Sequence, residues 1–468
     1  MQARIVVPEL TYVDGRFEPG LAVEYDAGSG RITRFGPADA LAAGGWASVE
    51  RLPGRALLPG FVNAHSHAFQ RVIRGRTQWR SVLAPWADFW SWREAMYAAA
   101  LALSPEDLFA VSRFCFLEML RSGITTVGEF HYLHRDPDGR PYEDAGELAH
   151  RVVQAAREVG LRIVLLNVCY ARGGVGRPLQ PEQRRFATPD LAAFLEDTRA
   201  LCERYRGEPG VRVGVGAHSV RAVPREWLAD LHGWAEAQDV AFHMHVSEQP
   251  AEVEACRAAY GLRPVELLAG EGVLGERLTA VHATHLAEDE LALLGDARAT
   301  VCACPTTERD LGDGFLPGAE LLDAGARVAL GTDSQTAIDF FEEMRLVEYH
   351  ERLRKQRRVV LAVPGGEGRL EVAPLLFELA TESGARSLGV EAGALRPGAL
   401  ADFVAVDLEH PALAGWTVES LGALLALSAP ADVVVDVWVG GVRRLEGRRH
   451  ALDGVAAEAF WKVARSLT

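Results

Sequence analysis

The chain has 468 residues, 49% apolar and 24% charged, with a formal net charge of -15. That is the composition of a folded protein with a sizeable core, and the acidic excess, with no basic run interleaved with aromatics, argues against nucleic acid as a partner. No run of 18 uncharged apolar residues occurs and the opening Met-Gln-Ala-Arg-Ile lacks an apolar export segment, so the expectation is a cytoplasmic protein without membrane association, acting on a small molecule.

Residues 1 to about 57 carry short β-type runs (Ala3 to Val7, Leu21 to Tyr25, Arg31 to Phe35) separated by Asp14-Gly15, Pro19-Gly20 and Gly28-Ser29-Gly30 turns. Ala401 to Val406 and Val433 to Val439, before the Gly440-Gly441 turn, read the same way. The two ends, 1–57 and 390–468, are therefore expected to form one composite β-sandwich domain around a central domain, 58–389.

Within the centre, apolar strand-like runs alternate with helical patterns. The first is Phe61-Val62-Asn63-Ala64-His65-Ser66-His67, after Pro59-Gly60. Seven more follow: Thr125 to Phe130, Ile163 to Val168, Val211 to Ser219, Ala241 to Glu248, Leu278 to His285, Ala299 to Pro305 and Val328 to Ser334. Ser104-Pro105-Glu106 opens one helix that closes at Gly123, and Thr188-Pro189-Asp190 opens another that closes at Gly207. Eight such units over roughly 330 residues predict an α/β chain folded as a (β/α)8 TIM-like barrel, with a doubly wound open sheet as the alternative. Cys115, Cys169, Cys202, Cys256, Cys302 and Cys304 form no disulfide framework, and Cys302-Ala303-Cys304 reads as core.

Catalytic groups in such a barrel sit where strands end. Strand one ends in His65 and His67, strand two in Glu129, His131 and Tyr132, strand four in His218, strand five in His245 and Glu248, strand six in His282 and His285, and strand eight in Asp333. Alternate strand residues share a face, so His65 and His67 aim at one point. With His245 and Asp333 they supply the three or four N/O ligands of a mononuclear zinc. Iron or manganese suits the same set nearly as well. His243 and His245 are a second alternating pair, and His245 is preferred because Glu248 follows it at the mouth.

This pattern resembles the amidohydrolase superfamily, in which His-x-His after strand one, histidines after strands five and six and an aspartate after strand eight surround the metal. Binuclear members bridge two metals with a lysine from a middle strand; here only Lys355 and Lys462 are lysines and neither lies on an expected barrel strand, so one metal is expected, Glu129 being the one carboxylate that argues otherwise. The resemblance implies that zinc lowers the pKa of a bound water from about 15.7 toward ~7. It also implies that Glu248 carries the proton from water to the leaving nitrogen, that His282 hydrogen-bonds the developing tetrahedral centre, and that Asp333 both ligates and orients.

The substrate must be read from the loops. Gln70, Arg93, Tyr132, His218 and Arg221 gather near the mouth, and two arginines suit a substrate bearing carboxylates. The stretches His65 to Arg71, Glu129 to Tyr132, Ala217 to Arg221, His245 to Gln249, Val281 to His285 and Thr307 to Gly314 are similar to the motifs of the formimidoylglutamate deiminases of bacterial histidine degradation. That resemblance implies hydrolysis of N-formimino-L-glutamate to N-formyl-L-glutamate and ammonia, with Gln70 beside the formimino group and the other four on the glutamate carboxylates. The rival readings are a deaminase of an aromatic heterocycle such as guanine on the same metal residues, and a non-catalytic barrel scaffold. Trp79, Trp86, Trp90 and Trp92, four of the 10 tryptophans, mark an insertion expected to be a lid or a homodimer interface.

Overall fold

The computed structural model describes residues 2–43, 48–80 and 88–467; Trp86 lies outside them. Both chain ends build one mixed sheet. Strands β1 (Ala3–Val13), β2 (Arg16–Pro19), β3 (Ala22–Asp26), β4 (Arg31–Gly36) and β5 (Ser48–Pro59) come from the start of the chain. The order across the sheet is β18-β17-β16-β5-β1-β3-β4, where β16 is Phe403–Asp407, β17 Val434–Val439 and β18 Val442–Leu445, and β2 pairs with β1. Strand β5, which the sequence pattern did not single out, joins the two ends: it runs parallel to β1 and antiparallel to β16. The sheet curls over its own core. The rings of Tyr25 on β3 and Phe403 on β16 are 5.8 Å apart, although two strands lie between theirs and a flat sheet would hold them about 14 Å apart.

The chain passes from this sheet into the barrel at Gly60, between Pro59 and Phe61. A Cβ there would lie 2.3 Å from Thr125 Oγ1, so only glycine lets the first barrel strand start this close to the second. The barrel strands are β6 (Phe61–Ser66), β7 (Ile124–His131), β8 (Arg162–Cys169), β9 (Val211–Ser219), β10 (Phe242–Val246), β11 (Leu278–His282), β12 (Thr300–Ala303) and β13 (Arg327–Leu330). They pair in parallel, each with the next. The ring closes through a parallel bridge between Ser66 and Asp333. A two-stranded ribbon, β14 (Val363–Pro364) and β15 (Leu370–Glu371), stands apart.

Helices cover the barrel where the sequence cues put them. Helix Pro105–Arg121 starts at Ser104, whose hydroxyl accepts from the Asp107 N–H while the Asp107 carboxylate accepts from the Ser104 N–H. Phe340 and Phe341, opening helix Phe340–Lys355, pack on Phe61 with ring centroids 5.7 and 5.3 Å away. The barrel and the terminal sheet are tied by the pair Arg162–Asp402 at 3.1 Å, with Asp402 fully buried. Among the described residues no helix is long and apolar enough to cross a membrane.

Candidate active site

The seam between first and last barrel strands assembles the site. The Asp333 N–H donates to the His65 carbonyl (3.0 Å) and the His67 N–H donates to the Asp333 carbonyl (2.9 Å). Asn63 bonds Thr332 through both its amide atoms, at 2.7 and 3.0 Å, and Gln335 Nε2 donates to Ser66 Oγ at 2.9 Å. Gly331 permits this closeness, because a Cβ there would stand 2.9 Å from the His65 carbonyl oxygen. Ser247, His282 and Asp333 all have positive φ (50°, 71° and 46°), a strained turn that ends each strand and costs about 1–3 kcal/mol apiece.

His65, His67, His245 and Asp333 converge. Their ligand atoms all lie within 4.8 Å of one another. His65 Nε2 is 3.1 Å from the Nε2 atoms of both His67 and His245, which are 3.4 Å apart, and Asp333 Oδ1 is 3.2 Å from Nε2 of both His65 and His67. A tetrahedron with ligand bonds of 2.0–2.1 Å has edges of about 3.3 Å, so this donor set fits one divalent ion. Three buried imidazole nitrogens facing one another without a shared cation would otherwise repel. His67 Nδ1–H donates to the Phe130 carbonyl (3.0 Å), which turns its Nε2 lone pair toward the others. Burial holds the His65 imidazole down at about 3 and His245 well below the usual range, keeping both unprotonated as ligands must be. Burial alone would raise Asp333, but the imidazoles of His65 and His67 beside it, with His282 nearby, outweigh that and hold the carboxylate well below its usual range.

His243 stands two residues earlier on β10, toward the start of the strand, with its Nε2 3.1 Å from the Ser387 carbonyl. Glu129 is also outside the tetrad. It accepts from the Ser66 hydroxyl (2.5 Å) and the Ala68 N–H (2.7 Å), and so fixes the His65-Ser66-His67 turn. Burial raises its carboxyl to about 7. Both lysines lie on helices, Lys355 ending Phe340–Lys355 and Lys462 within Asp453–Ser466.

Beside the tetrad, Glu248 Oε1 is 3.7 Å and Asp333 Oδ2 3.8 Å from His282 Nε2. Burial raises the Glu248 carboxyl despite His282 and Arg221 nearby. On its other edge His282 Nδ1 faces Glu308 Oε1 at 3.4 Å. Sequence reasoning gave Glu308 no role, although it lies in the Thr307–Gly314 stretch; only the fold brings it under His282.

A cavity of about 40 Å³ is lined by the tetrad members His67, His245 and Asp333 and by every substrate-contact candidate: Gln70, Arg93, Tyr132, His218 and Arg221. Helix Phe89–Ala102 covers it with Phe89, Trp92, Met96 and Tyr97; Trp92 belongs to the tryptophan-rich insertion, whereas Phe89, Met96 and Tyr97 carried no signal in the sequence. The space has room for a few waters. Trp79 instead is 74% exposed and Trp90 stacks under Arg93, whose guanidinium lies 4.4 Å from the Trp90 ring and 5.4 Å from Tyr97. Among the described residues Arg93 has no carboxylate partner within ion-pair distance. Arg221 does: its guanidinium is 3.3 Å from Glu248 and 3.6 Å from Glu252, both buried. Gln70 Nε2 donates to the Tyr132 hydroxyl at 2.9 Å, leaving Gln70 Oε1 without a partner. Burial drives His218 well below its usual range and the Tyr132 hydroxyl well above, so both stay neutral hydrogen-bonding groups. A larger groove, about 870 Å³, opens at the N-terminal ends of β9, β10, β11 and β13 and contains none of these groups.

Two relatives and one solved structure bear on what this arrangement does. The chain is 36% identical over 423 residues to a formimidoylglutamate deiminase from Pseudomonas aeruginosa, covering 90% of this chain and 91% of the relative. It is 31% identical over 419 residues to an 8-oxoguanine deaminase from the same organism, covering 88% and 87%. A crystal structure of an amidohydrolase from Brucella melitensis superposes with a TM-score of 0.88 at 34% identity, covering 99% of both chains. The model of the amidohydrolase family matches residues 56–444, and with the metal-ready tetrad at the open end of its parallel barrel, the chain belongs to that family.

Proposed function

We propose that this protein is a zinc-dependent hydrolase that converts N-formimino-L-glutamate to N-formyl-L-glutamate and ammonia, a step of histidine degradation. The observation that carries the reading is Arg93: a half-buried guanidinium on the cavity wall, braced by Trp90 and Tyr97, with no acidic partner among the described residues, suits a substrate carboxylate. Arg221 is already committed to Glu248 and Glu252, so it supports the second carboxylate and the catalytic glutamate together. His218 and Tyr132 add neutral hydrogen bonds, and Gln70 Oε1, unpartnered and buried, can accept from the formimino N–H.

His65, His67, His245 and Asp333 would hold the ion. One zinc, when bound, polarises a water so that it attacks at neutral pH. Glu248 takes the water proton on a carboxylate oxygen and hands it to the departing nitrogen. His282, held between Glu308 and Asp333, donates from Nε2 to the oxygen on which charge develops. The likeness to a formimidoylglutamate deiminase supports the substrate, and the likeness to an 8-oxoguanine deaminase supports the rival, a purine deaminase.

Ammonia release from N-formimino-L-glutamate, 8-oxoguanine and guanine separates them in one assay. Turnover of the first alone is expected; turnover of a purine without it transfers the assignment to the rival.

A further inference from the structure

The loop Gly312-Asp313-Gly314, after helix Pro305–Leu311, has no part in the chemistry above. Both glycines have positive φ, 72° and 123°, and the Asp313 N–H donates to the Glu308 carbonyl at 2.9 Å, so the backbone fixes where the Asp313 side chain stands. Its Oδ1 accepts from Gln249 Nε2, on the residue after Glu248. Its Oδ2 has no partner, although the residue is only 3% exposed. A carboxyl oxygen of Asp313 lies within 4.8 Å of both a Glu248 oxygen and a His282 ring nitrogen.

Two carboxyls this close in dry surroundings do not both ionise unless a cation joins them. Burial first, and Glu248 next, push Asp313 up to about 9. The positive groups at hand are already engaged: Arg221 with Glu248 and Glu252, and His282 with Glu308 and Glu248. Arg93 stands on the same cavity's wall with no acidic partner among the described residues. The cavity is thus polarised: its wall carries the guanidinium of Arg93 for an anionic tail and the carboxyl of Glu248 for a cationic head, and Asp313, outside the lining itself, lies within 4.8 Å of Glu248.

We propose that Asp313 is a specificity-determining residue that, together with Glu248, receives the cationic amidinium nitrogen of the substrate and distinguishes it from a neutral amide. This rests on the formimino reading and adds to it the charge state of the group recognised.

The test uses the zinc-loaded full chain and two ligands with the same dicarboxylate tail, measured by titration calorimetry. N-amidino-L-glutamate carries a cationic guanidinium; N-formyl-L-glutamate carries a neutral amide. Asp313→Asn keeps an oxygen for Gln249 but cannot become negative, so binding of the cationic ligand is expected to weaken about tenfold or more while the neutral one changes less than about twofold. The neutral ligand also reports that the variant is folded. Equal weakening of both ligands, or no change in either, overturns the assignment of Asp313 alone. Failure of the wild-type protein to bind either ligand overturns the substrate reading and this proposal with it.

Discussion

Replacing Glu308 by Gln removes one charge from the site and almost nothing else. Glu308 is 1% exposed; its Oε1 accepts from the Cys304 N–H at 2.9 Å and faces His282 Nδ1 at 3.4 Å. Because Nδ1–H points at Glu308, His282 can donate a second hydrogen bond from Nε2 only when both ring nitrogens are protonated. Burial opposes that charge, but Glu248, Glu308 and Asp333 hold the imidazole well above its usual range. Two unit charges 3.4 Å apart attract by ~5 kcal/mol at an effective dielectric near 20, which is a ceiling because glutamine still accepts from Nδ1. Losing a partner that orients a site histidine costs 10- to 100-fold, and the long 3.4 Å separation favours the lower end, about tenfold in kcat or ~1.4 kcal/mol. The sign is fixed too. Removing the carboxylate lowers the His282 pKa, so the protonated form is lost at lower pH and the alkaline limb of kcat moves toward acid. The assay is ammonia release across pH for both proteins. An unmoved alkaline limb with kcat within twofold of wild type refutes the role given to this pair.

Glu248→Gln should retain stoichiometric zinc by metal analysis yet lose about 10²-fold or more in kcat; near-normal turnover removes Glu248 from the proton path. Arg93→Ala should raise KM more than it lowers kcat, as expected of a contact equal in ground and transition states, and an unchanged KM redirects the search to another substrate. Arg221→Ala should do the same and also lower the thermal midpoint, because Glu248 and Glu252 would remain buried without their cation, a loss of about 3–5 kcal/mol; a midpoint equal to that of Arg93→Ala would contradict the pairing seen here. Asp333→Ala should purify with less than a tenth of the wild-type metal content, whereas full occupancy would mean the ion is held elsewhere.

Much of this protein can be read along the chain because local chemistry fixes local structure. The apolar run ending in His65-Ser66-His67, the Ser104/Asp107 box and the Asp190 cap each act within a few residues, and the expected elements stand there as strands and helices. The spacing of eight strand-like runs was enough for a barrel, since parallel strands need long crossovers between them. Strand β5 was missed because Ser48–Pro59 carries charged and polar residues along half its length, and its partners lie at the two far ends of the chain.

What the sequence by itself determined is the kind of residue waiting at each strand end. Which of those residues meet was decided only by closure of the ring, where Ser66 and Asp333 pair across more than half the chain and bring the first and last strands together. The same closure separates His245 from His243, sets Glu308 under His282, ties Arg221 to Glu248 and leaves Arg93 without an acid among the described residues. None of these has a local signature, because a charge or a lone pair acts over a few ångströms of space, whatever number of residues of chain lies between.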